Sequence, residues 1–599
     1  MNTQSTKQIK SAVPFAMDWQ AIQWQKAEKY VEKLQKRIFH AEQNGDKRRV
    51  RDLQRMLMKS QSALLLSIRR VTQINKGKRT AGVDGFKALS PEKRLSLYHK
   101  MLSMDISLHK PKPAYRTYIE KKNGKLRPLG IPTIKDRVYQ NVVKLALEPQ
   151  WEARFEPTSY GFRPKRNCHD AMVRIHQNLS GNKSKRSWIF EGDFKACFDT
   201  LDHDFILKQV EGFPEADVIA KWLKAGFVDN SVFEETEDGT PQGGIISPLL
   251  ANIALHGMEK ALGIRYTPCK RTRGTTYENH TKYSLCRYAD DFVVMCHTKE
   301  EAENVRLLLA NYLSDRGLTL ADDKTKITHV EEGFDFLGFN VRRYNVTIFK
   351  KGQQPQLGKK LLIKPSKDSV KALKAKIKDI YARARGTNAQ ALIGRLNPIV
   401  TGTANYWKTQ VAKEVFKDID CYLWKKTERW IRRAHPRKNW EWIKKQYFKP
   451  DRTGQTRAKW ILTDPDTGNQ LKRMSWTEIK RHEMVKHTST PFDSTLAEYF
   501  RKRDIKEFEK NTVSSRQKLA KKQNYVCPMC RKSITDFKEG LEIHHITPKY
   551  HGGSGEYKNL QLVHISCHIE YHKAFPAKVA MPPKAKVDAW LKWYRRSIG

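Results

Sequence analysis

Nowhere does this chain run to the roughly 18 consecutive apolar residues that a membrane-spanning helix needs, so nothing in it is expected to cross a bilayer. Residues 1–19 lack the apolar core of a secretory signal. Acidic residues are scarce beside basic ones, 64 against 113, and the formal net charge is +49. A surplus of this size points to a polyanionic partner, most simply nucleic acid, with an acidic membrane surface as the competitor. Cysteines number nine, an odd count that does not suit a fully paired secreted framework. Six of them (Cys168, Cys197, Cys269, Cys286, Cys296, Cys421) are scattered and read as reduced and structural. Cys527, Cys530 and Cys567 stand apart. The expected compartment is reducing, the cytoplasm or an organelle matrix, and not secretory. What is present argues for folded domains: 14 Trp and a 39% hydrophobic share are too much for a disordered basic tail. At 599 residues one core does not suffice, and about four domains is the soft expectation.

The most informative stretch is Cys286–Met295, where apolar runs flank a bare Asp290-Asp291 pair. The pattern reads as strand, tight turn, strand. Adjacent carboxylates repel unless a cation neutralises them, and Mg²⁺ prefers such oxygens. A solvated turn is the plainer alternative, since Asp favours turns. A third carboxylate tips the balance. Trp188–Asp193 reads as a strand ending in Asp193, with Gly192 expected to leave room for a ligand. If the two strands are neighbours, Asp193, Asp290 and Asp291 converge. Three such groups can hold two Mg²⁺ ions about 4 Å apart for in-line phosphoryl transfer. One ion lowers the pKa of an attacking 3′-hydroxyl, and the other draws charge from a leaving pyrophosphate.

Other segments fall around this centre. Trp24–Arg70 has helical spacing, with Trp24, Val31, Leu34 and Ile38, then Leu53, Leu57, Leu64 and Ile68, on one face. Arg79–Gly85 is a glycine-punctuated loop. Tyr115–Ile119 and Leu126–Pro132 read as two extended runs joined by the turn Lys122-Asn123-Gly124-Lys125. Lys121, Lys125 and Arg127 on that hairpin are placed to grip a triphosphate, against the alternative of solvated loop lysines. An amphipathic helix is expected from Asp136 to Glu148. Ser159–Pro164 offers Tyr160, Phe162 and Arg163 either for stacking on bases or for packing. Gly239–Gly244 leads into a helix and can set Gln242 against a base pair. Gly317–Thr325 puts Lys324 after a short helix, and Phe334–Phe339 reads as packing.

In this order the motifs resemble reverse transcriptases, and among them those encoded by group II introns. The resemblance rests on Tyr288-Ala289-Asp290-Asp291, Phe190–Asp193 with Phe198-Asp199, Ser159–Pro164, Pro241–Pro248, Gly317–Lys324 and Phe336–Phe339. It implies a right-hand polymerase with fingers and palm. Asp193, Asp290 and Asp291 correspond to its metal-binding catalytic acids. Lys121 and Arg127 correspond to residues holding the nucleotide triphosphate. Phe198 matches the bulky residue beneath the sugar that excludes a 2′-hydroxyl. Gln242 matches the residue beside the incoming nucleotide, and Lys324 a lysine near the reacting end. Glu120 departs from the family, which often has proline there.

Val346–Ile380 holds ten lysines and only two acids, Asp368 and Asp379. That many unbalanced lysines repel one another, and a phosphate backbone explains them better than a solvated face does. Helical patterning runs through Ala372, Ile377 and Ile380 and resumes from Leu396 to Trp407. Arg429–Pro436, Trp440, Trp442 and Tyr447-Phe448 interleave aromatics with arginine, which suits RNA loops, although some Trp are expected in a core. These segments resemble the thumb, or maturase, region of the same family.

Lys506–Lys522 is a charged, helical linker. After it, Cys527-Pro-Met-Cys530 and His564-Ile-Ser-Cys567 are two pairs at the spacing of a tetrahedral structural zinc site. His568 and His572 share a helix face, and with His544 they can chelate one divalent ion. His545, the next residue, points elsewhere and can act as general base, with Asn559 orienting it. The alternative is a zinc-ribbon DNA-binding module with spare histidines. The arrangement resembles the HNH nuclease, a ββα-metal fold, and that resemblance assigns water activation to His545. Trp590, Trp593, Arg595 and Arg596 make a DNA-facing end.

The expectation is an α+β multidomain protein. Residues 1–90 form an N-terminal helical extension, 91–345 fingers and palm, 346–412 a helical thumb or maturase region, 413–510 a basic maturase-specific, DNA-binding region and 511–599 the HNH domain with its zinc knuckle. Its expected work is to copy intron RNA into DNA, to assist splicing of that RNA, and to nick double-stranded target DNA. Expected partners are group II intron RNA, target DNA and deoxynucleoside triphosphates, with no membrane. Expected cofactors are Mg²⁺, a structural Zn²⁺ and one divalent ion at the HNH site. The rivals are an RNA-binding maturase without polymerase activity and the reverse transcriptase of a non-intron retroelement.

Overall fold

The structure, a computed structural model, describes residues 18–598 apart from 20–21, 121–123, 125, 181–185, 230–231, 237, 240–242, 272–273, 349–355, 453, 455, 536–539 and 577–580. The helical pattern of the N-terminal region becomes three helices, Trp24–Gln43, Lys47–Met58 and Gln61–Arg69. Gly45, at φ 72°, ends the first. Asp46 and Ser60 then cap the next two by accepting from the backbone N–H groups of Arg49 and Ala63. Val31, Leu34, Ile38, Leu53, Leu57 and Ile68 are all buried, and the three helices pack on a fourth, Ile134–Glu152. That helix is longer than expected and not amphipathic. Asp136, Arg137, Gln140 and Asn141 are buried along with its apolar residues, because neighbours enclose it on nearly every side. Asp136 is satisfied there by the Oγ1 of Thr133, the Nε2 of His109 and, at 3.3 Å, the Nε1 of Trp222.

Ala114–Glu120 and Leu126–Ile131 form the expected antiparallel hairpin, in register from Tyr115 opposite Ile131 to Glu120 opposite Leu126. The short strands Phe227–Asp229 and Val232–Glu234 extend it to a four-stranded sheet.

A second four-stranded sheet lies at the centre of the molecule. Its order is Lys326–His329, Trp188–Gly192, Asp291–Cys296, Ser284–Tyr288, with every neighbouring pair antiparallel. Side chains alternate across a strand. Phe190, Leu285, Phe292, Val294 and Cys296 join a core that gathers residues from Trp19 to Leu318. Ile189, Cys286, Val293 and Met295 belong to a different core, which runs from Tyr160 to Met474. Between the second face and the downstream chain sits the helix Cys168–Leu179, through Ala171, Met172, Ile175 and Leu179. The near-continuous apolar runs of the sequence here follow from burial of both faces.

The lysine-rich segment does not start as helix. Phe339–Ile348 pairs antiparallel with Gln356–Pro365, and only then does the helix Lys367–Arg383 begin. The divide expected at 345/346 therefore falls inside a strand. The buried stripe of that helix is Leu373, Ile377 and Tyr381; Ala372 is exposed. Helices Ala389–Trp407 and Lys413–Ala434 complete the second core with Leu392, Leu396, Val400, Phe416, Ile419 and Leu423. The expected Lys506–Lys522 linker is two helices, Ala497–Asn511 and Ser514–Lys522. A third core, from Phe508 to Tyr594, surrounds an antiparallel pair, Leu541–His545 with Leu560–His564, followed directly by the helix Ile565–Ala574. Among the described residues no helix is long and apolar enough to cross a membrane.

Candidate active sites

The central sheet assembles the first site by register. Gly192 stands opposite Phe292, so Asp193, one residue further on, comes alongside Asp291. Tyr288 stands opposite Asp291, which leaves Ala289 and Asp290 as the two-residue turn of the hairpin. Lys324, in the turn preceding Lys326–His329, reaches Asp193 with its Nζ 2.6 Å from Oδ2. Asp291 opens on the cleft, yet burial of its carboxyl, and then the charges of Asp290 and Asp193, push its pKa up to about 6. Asp290 is also raised, first by burial and then by Asp193, while Arg127 of the hairpin and Lys324 pull it down. All three predicted acids and two of the predicted cations thus act on one another.

Among the described residues, three groups of His, Cys, Asp or Glu have all their donor atoms within 4.8 Å of one another, and the aspartates are not among them. The fit to divalent cations lies in the chemistry of the set, three neighbouring carboxylates of which two resist ionisation.

Phe198, in the turn Cys197–Thr200 just past Asp193, is 8% exposed and packs into the first core, so little of its ring faces the cleft. Lys121 and Gln242 lie outside the described residues. The helix before Lys324 is Lys299–Ser314, not a short one.

One reading of the surroundings is corrected and one alternative is decided. Gly192 makes no space for a ligand: a Cβ there would fall 2.1 Å from the ring of Phe292, so the glycine serves packing. The Ser159–Pro164 loop packs beneath the hairpin. Tyr160 is wholly buried and accepts from Arg174 Nε at 3.1 Å. Arg163 makes a forked pair with Glu152, at 2.8 and 2.9 Å, and donates to the carbonyls of Glu156 and Ser159. Only Phe162, 49% exposed, stays available.

The C-terminal region holds two clusters. Cys527, Cys530, His564 and Cys567 are buried with their donor atoms together. His564 Nδ1 lies 3.3 Å from Cys530 Sγ and 3.8 Å from Cys567 Sγ, while its Nε2 reaches the Ser533 carbonyl at 3.1 Å. That carbonyl accepts from Nε2–H, which leaves Nδ1 facing the thiols. Hydrogen bonds from Cys530 and Cys567 hold the Cys527 thiol far below its ordinary pKa. Three thiols and one imidazole in this array fit tetrahedral Zn²⁺.

His544, His568 and His572 form the second cluster. Nδ1 of His568 bonds the Glu542 carboxylate, and Nδ1 of His572 lies 3.3 Å from the Phe575 carbonyl. Both acceptors need a proton on Nδ1, so the two Nε2 lone pairs face each other at 3.1 Å. Nδ1 of His544 is buried without a partner, and burial followed by His568 and His572 pushes that imidazole down to about 3. Lone pairs converging without a proton between them fit a divalent cation. Glu542 was not picked out from the sequence. Its position two residues before His544, on the same strand face, is the signal that could have found it.

His545 alternates to the other face of the strand, half-buried. Asn559 does not orient it. Its side-chain amide accepts from Thr547 N–H at 2.7 Å and donates to the carbonyls of Thr547 and Ser554, which fastens the loop after His545. The expected DNA-facing end is also revised. Trp590 stacks on Tyr594 with ring centres 4.7 Å apart, and Arg595 donates to the carbonyls of Pro528 and Met529 on the cysteine knuckle. Trp593 remains open at 62% exposure. In the basic middle, Trp430 donates to the Ala384 carbonyl at 2.9 Å and is structural, whereas Trp442 and Trp460 keep exposed faces.

Four family models match the chain. They are described as the N-terminal domain of reverse transcriptase over residues 19–101, reverse transcriptase (RNA-dependent DNA polymerase) over 119–341, the group II intron maturase-specific domain over 370–448, and HNH endonuclease over 527–574. Protein YkfC of Escherichia coli is 37% identical over 318 residues, which cover 49% of this chain and 84% of that protein. The group II intron-encoded protein LtrA of Lactococcus lactis is 33% identical over 342 residues, 47% of this chain and 55% of LtrA. An uncharacterized 91 kDa protein in the cob intron of Schizosaccharomyces pombe is 28% identical over 49% of this chain and 43% of its own length. The chain therefore spans about half the length of LtrA and less of the yeast protein.

Proposed function

The chain belongs to the group II intron-encoded proteins, with reverse transcriptase, maturase and HNH endonuclease domains, and from that membership we propose how its residues divide the work. It binds group II intron RNA and assists its splicing, nicks double-stranded target DNA, and copies the RNA from the exposed 3′ end with deoxynucleoside triphosphates. Asp193, Asp290 and Asp291 would hold the divalent ions of the polymerase. Those ions, when bound, supply charge neutralisation at the attacking 3′ oxygen and the leaving pyrophosphate.

The chain's own groups do the rest. Arg127, acting on Asp290 from the neighbouring hairpin, faces the position of a triphosphate, and Lys121 and Gln242 serve the same nucleotide. Lys324 neutralises Asp193. Phe198 closes the floor below the sugar. In the C-terminal domain His544, His568 and His572 would hold one ion, with Glu542 fixing the tautomer of His568. His545 takes the proton from the attacking water. Cys527, Cys530, His564 and Cys567 would hold a structural Zn²⁺. The work would be done in a bacterial cytoplasm or an organelle matrix.

The observation that carries the polymerase reading is the register that sets Asp193 beside Asp291. Primer extension on an RNA template with Mg²⁺ tests it: the wild type extends and Asp290→Ala does not. Failure of both would leave splicing assistance as the function. His545→Ala is expected to abolish nicking of duplex DNA and leave cDNA synthesis intact.

A further inference from the structure

Arg287 precedes the Tyr288–Asp291 hairpin turn and has no exposed surface; among wholly buried side chains only Trp151 is larger. Its Nη1 donates to the carbonyl of Ala289 and to Oδ1 of Asn252, each at 3.2 Å. Asn252, 2% exposed on the helix Ser247–Ala254, uses its other arm on the same assembly: Nδ2 donates to the Gly161 carbonyl at 2.8 Å. Gly161 lies against the turn so closely that a Cβ would come 2.4 Å from the Ala289 nitrogen. Two backbone bonds lace the same loop to the strand, Arg287 N–H to the Thr158 carbonyl at 3.0 Å and Tyr160 N–H to the Arg287 carbonyl at 2.9 Å.

The turn held this way is strained. Ala289 sits at φ 58°, in the left-handed region, which a residue with a Cβ rarely adopts. A hydrocarbon side chain would fill the site of Arg287 at lower cost, because a buried guanidinium loses its hydration. Glu156 faces it, but the Oε2 of Glu156 and the Nε and Nη2 of Arg287 make no hydrogen bond among the described residues. What the guanidinium provides and a hydrocarbon cannot is donation to the carbonyl immediately before Asp290.

We propose that Arg287 and Asn252 are positioning residues of the polymerase: together with Gly161 they clamp the Ala289–Asp290 peptide and so set Asp290 and Asp291 against Asp193. This rests on the polymerase reading above. The pair also joins that turn to the helix Ser247–Ala254, so the acids and that helix share one anchor.

Arg287→Lys keeps the charge and loses the reach to two acceptors. Asn252→Asp keeps the acceptor for Arg287 and loses the donor to Gly161, with little change of volume. Both are expected to lower kcat of primer extension by about 100-fold, the effect of misplacing a reacting group by an ångström. The Mg²⁺ concentration for half-maximal rate should rise several-fold, with KM for the nucleotide within twofold and the melting temperature and RNA affinity preserved. A second readout needs no turnover: titration with Mn²⁺, followed by the electron paramagnetic resonance of the free ion. Both variants should weaken the part of Mn²⁺ binding that Asp290→Ala removes. Unaltered Mg²⁺ response and Mn²⁺ affinity in Asn252→Asp, whatever its rate, would overturn the clamp and leave the pair as packing. A wild-type protein that binds Mn²⁺ through Asp290 yet extends no primer would instead overturn the polymerase reading, and the Mn²⁺ comparison would still decide the clamp.

Discussion

Asp291 ionises in the fold only with difficulty, and that has a measurable sign. Its folded pKa is about 6, against about 3.9 in an unfolded chain. Between these values the unfolded state gives up the proton first, so stability falls as pH rises from 4 to 6 and stays lowered above 6. Asp291→Asn should therefore raise the melting temperature of magnesium-free protein at pH 7.5, change it little at pH 4, and abolish primer extension. His256 carries the opposite sign. Burial, and then Arg287 and neighbouring arginines, push it down to about 4. Its contribution is intact above the ordinary imidazole value of about 6.5 and is lost as pH falls toward 4. Melts of His256→Phe over that range should slope less than those of the wild type. At this scale the sequence was legible where chemistry forces a residue type: the three acids that meet on one sheet, the cluster of three cysteines with His564, and the group of His544, His568 and His572. It misled or left the choice open where a residue had two uses. Gly192, Arg163 and Trp590 suit a ligand as well as they suit a core, and only the ring of Phe292, the carboxylate of Glu152 and the face of Tyr594 decide between them.

Among elements, periodicity told strands and helices apart wherever one face was exposed. It found the helix Ile134–Glu152 but misjudged its one-sided burial, since neighbours enclose it, and it failed for Phe339–Ile348, where charged residues hid an alternation that only pairing with Gln356–Pro365 makes evident. The C-terminal ββα unit was readable because its ligands fix its order. Two changes test it as a unit. Cys527→Ser should disrupt the core from Phe508 to Tyr594 and release it to limited proteolysis, with cDNA synthesis retained, because the central sheet shares no buried cluster with that core. Glu542→Gln should weaken metal binding at the histidine cluster by about 10–100-fold, read by calorimetric titration of metal-stripped protein, since an amide does not fix the His568 tautomer as a carboxylate does.

Over the whole molecule the governing quantity is charge, +49 before any partner binds. Affinity for RNA should fall steeply and linearly on logarithmic axes of affinity against salt. Replacing Lys371, Lys376 and Lys378, all exposed on one helix, by Gln should lower that slope by about one for each phosphate that a lysine no longer neutralises. Composition announced the polyanion but not the placement of the helix that carries these lysines. It shares a core with the underside of the sheet that bears the acids, through Ile189, Cys286, Val293 and Met295. That sheet has no free back. A protein trimmed after residue 345 would lose the partners of the helix Cys168–Leu179, which lies between that face and the downstream chain, and with its apolar residues uncovered would fold poorly or clump. The downstream helices are thus a keel, and a descendant with no use for their lysines would still have to carry it.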